Sequence, residues 1–214
     1  FYHFKENEIG LPIDAFTEGD YDRYIDALTM LLYTKNQALY TGYPTYENEE
    51  NQKYVPSLST IVLLSSMNLL NVLDAVKDSL LFPASYMDFF AKRYSKAKEV
   101  YLLSPGKLVN VDNQLALIKN DLSHVEIWER IIDFCTGCKS VEISDEERIE
   151  FTIGDGINGE EFIAAANLHL IHLDAFILAA KEQTTLLCDD LFFRKMATYS
   201  KIRNINFVSL LWHY

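Results

Sequence analysis

Asp174, Asp189 and Asp190 are the residues of this chain whose type and spacing could do chemistry. A hard divalent cation such as Mg²⁺ or Mn²⁺ is held by carboxylate oxygens that converge from separate segments, and the bound ion can activate a water molecule. Asp174 stands at the N-cap or first turn of a stretch in which Ala175, Leu178 and Ala179 recur at helical spacing. The apolar run 184–188 is too short for a helix and reads as a buried strand. It ends in Asp189-Asp190, after which Phe193, Met196 and Ala197 restart the helical period. This helix–strand–helix unit predicts carboxylates at two edges of one sheet, and open parallel sheets take ligands beyond the carboxyl ends of their strands. Adjacent carboxylates repel, so an Asp-Asp pair belongs in water, at a helix N-terminus or beside a cation. The same residues also fit a purely structural role, with Asp189 ending the strand and Asp190 capping the last helix.

Other chemistry-bearing patterns are weaker. Gly154-Asp155-Gly156-Ile157-Asn158-Gly159 has the spacing of a dinucleotide loop between a strand at 149–153 and a helix. Asp155, Glu160 and Glu161 would set negative charge against a pyrophosphate, so we read a polar turn and expect no dinucleotide. Cys135-Thr136-Gly137-Cys138 has metal or redox spacing but lacks a second ligand pair in the sequence, and Cys188 reads as core. His169 and His172 fit helix-end or packing roles, and the acid run 142–150 a solvated surface.

These residues need a scaffold, and 214 residues with 49% hydrophobic content suffice for one α/β domain with a small appendage. A helical appendage at 1–50 is expected, with an amphipathic helix at 20–40 and a linker at 42–53, followed by the main domain at 51–214. In that domain the pattern predicts strands at 54–57, 79–82 and 100–103, helices between 58 and 76 broken near Asn68, and a helix at 84–96. A turn at 104–107, a long helix at 113–134, a helix at 160–170 and a last strand at 204–209 complete it. The alternation implies parallel strands with right-handed crossovers. The net charge of −12 argues against a broad phosphate-binding surface but leaves room for a carboxylate site carrying its own cation. Three cysteines and no run near eighteen apolar residues predict a cytoplasmic protein with no membrane contact. The start at Phe1 is expected of a fragment of a longer polypeptide.

Asp174-x-x-x-Leu178-Ala179-x-Lys181, then Leu186-Leu187-Cys188-Asp189-Asp190-x-x-x-Arg194-x-x-Ala197, resembles the carboxyl-terminal half of a PIN domain (PilT N-terminus-like), of the divergent kind found in larger proteins. Residues 54–64 with 69–73 resemble that family's first strand and helices, and 80–88 its second strand and following helix. The likeness covers about 54–214 and implies an α/β three-layer fold with a central, mostly parallel sheet. It also implies Mg²⁺- or Mn²⁺-dependent endonucleolytic hydrolysis of single-stranded RNA, by a metal-bound hydroxide attacking phosphorus. Family members draw acids from the end of the first strand, the helix after the second strand, the start of a later helix and the end of the fourth strand. Here those positions hold Ser57, Asp88, Asp174 and Asp190, with Asp189 beside the last and Arg194 near enough to balance their charge. Asp174, Asp190 and Asp88 are thus the catalytic candidates, and with Asp189 the metal ligands.

Ser57 departs from the pattern, because a hydroxyl replaces a charged ligand. Two readings follow: a ribonuclease with a degenerate acidic site, or an inactive PIN-like interaction module within a larger regulatory protein, forming a homodimer or binding a protein partner.

Overall fold

The computed structural model describes residues 52–103, 106–111, 114–119, 122–154, 156–165 and 169–211. The expected appendage, with its helix at 20–40, lies outside them, as does the linker up to residue 51. In chain order the elements begin with β1 (Tyr54–Pro56), α1 (Leu58–Ser66), a 3-10 helix (Leu70–Ser79), β2 (Leu81–Pro83) and α2 (Ser85–Leu103). A hairpin of β3 (Gly106–Val111) and β4 (Gln114–Lys119) leads to α3 (Ser123–Thr136), β5 (Lys139–Val141) and α4 (Asp145–Glu150). A short hairpin of β6 (Thr152–Ile153) and β7 (Ile157–Asn158) precedes α5 (Gly159–Ala165) and α6 (Ile171–Lys181). Last come β8 (Thr185–Leu187), α7 (Leu191–Tyr199), β9 (Asn204–Ile205) and α8 (Phe207–Leu211).

The protein is α/β. β1, β8 and β9 form a parallel sheet with β8 in the middle, and β2 pairs in parallel with β5. A parallel bridge between Tyr54 and Leu80 joins the two groups, so the strands run β5-β2-β1-β8-β9. β1, β2 and β8 are buried at every position, which is why they read as unbroken apolar runs rather than alternating ones. The chain steps from β1 to β2 and β5 on one side and later to β8 and β9 on the other. The carboxyl ends of β1 and β8 therefore flank the point where strand order reverses.

α6 is buried on every face from Ile171 to Ala179, as expected of a helix enclosed by other elements rather than lying on the surface. It packs on β1, β2 and β8 and is crossed by α1, α2, α4 and α5. Beside β2, Phe82, Tyr86, Phe89, Phe90, Trp128 and Phe134 pack edge-to-face or tilted between α2 and α3. The break expected near Asn68 is present: α1 stops at Met67, and Asn68 takes a left-handed φ of 57°, which asparagine tolerates.

Several expected elements differ. The strand expected at 100–103 is the last turn of α2, whose apolar side chains there are exposed, Leu103 at 76%. An apolar cluster is no strand signal when it simply continues a helix. The helix expected at 113–134 begins only at Ser123, and 114–119 is a strand paired with 106–111, Val111 opposite Gln114. Leu115, Ile118 and Leu122 share helical spacing, but β-branched and Leu residues on both sides of Asp112-Asn113 also satisfy a hairpin. Gly106 and Lys107, expected in a turn, open β3. The last strand is confined to 204–205 and gives way to α8 at Phe207. No helix among the described residues is long and apolar enough to cross a membrane.

Candidate functional site

The carboxyl ends of the parallel strands carry most of the polar groups buried in the core. Ser57 follows β1, and its backbone N–H donates to Leu187 O at 2.8 Å, locking the exits of β1 and β8 side by side. Ser57 is the N-cap of α1, with its Oγ accepting from the Thr60 N–H at 3.2 Å. Thr60, fully buried, joins this cap to the next strand. Its hydroxyl donates to Asp189 Oδ2 at 2.8 Å and accepts from the Asp189 N–H at 3.0 Å. Asp189 Oδ1 in turn accepts from the Phe207 N–H, so this carboxylate ties β8 to α1 and to the start of α8. Asp190 is the N-cap of α7, Oδ1 accepting from Phe192 N at 2.8 Å and Phe193 N at 3.4 Å. Asp189 ending the strand and Asp190 capping the helix is the structural role the sequence allowed.

Asp174 lies elsewhere on the same rim. It falls in the first turn of α6 rather than at its cap, and only 2% of it is exposed. Arg148 of α4 grips it in a bidentate pair, Nε to Oδ1 at 2.7 Å and Nη2 to Oδ2 at 3.0 Å, and Ser85 Oγ also donates to Oδ2. Planar two-point pairing of this kind is stronger and more directional than a lysine contact. Arg148 further bonds the exposed Asp145 at 2.6 Å. The hold of Asp174, first through its hydrogen bonds, pushes the Arg148 guanidinium still further above its ordinary value. α4 is fastened at a second point, Glu147 to Lys181 Nζ at 2.6 Å, and its start is closed by a capping box between Ser144 and Glu147. The acid run read as a solvated surface thus spans α6 from first turn to last.

Tyr86 stands between the two networks. Its ring is fully buried, and its phenol is raised well above the ordinary value by burial first and then by Asp174 and Cys188, with the Leu58 backbone N–H partly offsetting them. Cys188 is also fully buried, its thiol pushed up to about 12 by burial and then by Asp190, so it stays neutral near pH 7.

The predicted ligands take part in two hydrogen-bonded groups. Asp189 and Asp190 sit with Ser57 at the switch between β1 and β8. Asp174 sits with Ser85 and Arg148 beyond β2 and β5, and Asp88 is exposed in the first turn of α2. Among the described residues, no three of His, Cys, Asp and Glu are grouped so as to hold a metal ion. Donors of the chain occupy two of the predicted ligands, Arg148 and Ser85 on Asp174 and Thr60 and Phe207 on Asp189, while Asp190 uses Oδ1 for its helix cap. Arg194 offsets part of the burial of Asp189 through its charge, after the hydrogen bonds from Thr60 and Phe207, and its Nε donates to Asn204 Oδ1 at 3.4 Å.

The remaining patterns find structural places. Gly154 and Gly156 take φ of 62° and 89° in the turn between β6 and β7, so the glycine spacing belongs to a hairpin rather than to a strand–helix junction. Cys135 is buried and Cys138 half-buried, and burial raises both thiols, the reverse of an activated pair. His172 is buried and stacked on Phe193 at 4.6 Å.

Sequence reasoning missed Arg148, Thr60, Ser85 and Tyr86. For Arg148 a signal existed, as the lone base among the acids of 142–150.

The environment of Asp189 gives a pH prediction. Burial raises its carboxyl above the ordinary value, outweighing the hydrogen bonds from Thr60 and Phe207. A carboxyl whose folded pKa exceeds its unfolded value of about 3.9 adds stability that is fully present in acid. That contribution is lost as pH rises from the unfolded value through the folded one. Asp189→Asn keeps an acceptor for the Phe207 N–H and cannot ionise. Urea unfolding midpoints measured upward from pH 4 should show this loss in the natural chain and a flatter profile in the variant. Parallel profiles would show that Asp189 does not titrate in this window.

Comparison of the chain with protein-family models, with curated proteins and with solved structures finds no match in any of the three.

Proposed function

We propose that this chain is a PIN-like module that acts by binding rather than by hydrolysis, its acidic site replaced by an internal ion pair. The observation that carries the reading is the bidentate Arg148–Asp174 contact. A metal-dependent phosphodiesterase needs acids whose oxygens face a cation, and here a guanidinium of the chain itself meets one of the buried acids on both oxygens. Kinship with the PIN family is supported by four correspondences. Ser57 follows the first parallel strand, Asp88 lies in the helix after the second, Asp174 in the first turn of a later helix, and Asp190 after the fourth. The substitution of Ser57 fits the same reading, because a hydroxyl caps α1 without adding a negative charge beside Asp189. A module of this kind would serve a larger regulatory protein by holding a partner or a second copy.

The test is incubation of end-labelled single-stranded RNA with the natural chain and Mn²⁺. Intact RNA at micromolar protein is the expected result. Cleavage that Asp190→Asn abolishes would establish the ribonuclease instead.

A further inference from the structure

We propose that the cleft between α2, α4 and the segment leading into α6 binds a small phosphomonoester. The inference stands on the cleft alone and does not depend on the PIN-like reading. The cavity has a volume of about 570 Å³, within the roughly 300–1,000 Å³ that small-molecule sites occupy. Its charge opposes that of the chain. In a protein of net charge −12, the walls contribute Lys92, Arg93, Lys96 and Arg148 against Asp88 and Asp174.

Asp174 and Arg148 cancel within their bidentate pair. Of the other lining charges, Lys92, Arg93 and Lys96 outnumber Asp88, which lies at the exposed rim, one turn before Lys92 on the same face of α2. Lys92 and Lys96, both exposed, are four residues apart on that helix, where like charges repel. A dianion between them relieves that repulsion and accepts from both. Phe89, Leu170 and Ile171 supply apolar wall behind the charges, and a concave surface of one sign backed by low-dielectric walls concentrates its potential on a counter-ion. The same wall offers an apolar face to the organic part of an ester.

A compact ligand fits better than a polynucleotide. Lys92, Arg93 and Lys96 are confined to little more than one turn of α2. An extended polyanion would outrun these few charges in a chain of net charge −12, whereas nucleic-acid binding draws on a continuous stripe of Lys and Arg. A single phosphate needs only the charges already present.

Titration calorimetry at low salt, with inorganic phosphate, ribose 5-phosphate, AMP, adenosine and a ten-nucleotide RNA as separate titrants, tests the assignment. Saturable one-to-one binding of at least one phosphate is expected, with none of adenosine. Lys92→Glu and Lys96→Glu should each weaken it about tenfold or more, as loss and reversal of a charge-assisted contact implies. Circular dichroism should show both variants folded, since the two side chains are exposed. Esters binding more tightly than inorganic phosphate would assign an organic phosphate, and equal affinities free phosphate. No saturable binding of any of the three at millimolar concentration would overturn the proposal. So would binding indifferent to both variants, or binding of the RNA alone. Mn²⁺ affinity and RNA cleavage do not enter these readouts, so the cleft and the PIN-like reading fail separately.

Discussion

Arg148→Ala is expected to destabilise the fold by about 3–5 kcal/mol, the cost typical of removing one partner from a buried ion pair. Asp174 is 2% exposed, and Arg148 supplies two of the three donors it receives from side chains. Without the guanidinium, a carboxylate in the first turn of a fully enclosed helix has only the Ser85 hydroxyl and the α6 N-terminus to offset its charge. The same substitution also releases α4 from α6 at one of its two fastenings, leaving Glu147–Lys181. That exposed pair contributes little by itself. The decisive comparison is the double variant Asp174→Asn/Arg148→Met, which removes both charges and keeps much of the volume. It should recover a large part of the loss, because the penalty lies in the uncompensated charge rather than in the missing contact. Urea unfolding of the three proteins measures this directly. A loss below about 1 kcal/mol for Arg148→Ala would mean that the pair is loose and solvated, as exposed pairs are.

Trp128→Ala should cost about 3–5 kcal/mol, as large-to-small changes of buried aromatics do. For a domain of this size that corresponds to a fall in Tm of roughly 10 °C. Trp128 has no exposed surface and lies 6.2 Å from the Phe89 ring and 6.1 Å from the Phe90 ring, the point where α3 meets α2. Deleting the indole opens a cavity walled by rigid rings and helix backbone, which cannot collapse to fill it. Trp128→Phe is the informative control. Among the described residues the indole N–H has no hydrogen-bond partner, so the smaller ring gives up packing but also removes an unsatisfied donor. Its loss should be well under half that of alanine. Equal losses for the two variants, read by calorimetric melting, would contradict the packing described for α2 and α3.

What the sequence made legible divides along a physical line. Short buried strands such as 185–187 announced themselves because an apolar run closed by Asp189-Asp190 is too short for a helix, and the cap at Asp190 follows from its residue type and place. The hairpin at 106–119 was obscured because its leucines and isoleucine satisfy helical and strand spacing at once, and local pattern alone cannot choose between them. The partners of the site were hidden for a different reason. Asp174, Asp189 and Asp190 were found, and all three lie on one rim of the sheet. What Asp174 and Asp189 face is set by residues far away in the chain: Thr60 is 129 positions from Asp189, and Arg148 is 26 from Asp174. No spacing rule links such partners. Charge composition pointed away from Arg148, which is hidden among acids that do face water.

Calorimetric titration of the natural chain with Mn²⁺ tests most directly whether Asp174 is satisfied from within. With the Arg148 guanidinium on both of its oxygens, the account predicts no saturable heat up to millimolar metal. Tight one-to-one binding that disappears in Asp174→Asn would contradict it, and would return the rim of the sheet to metal chemistry.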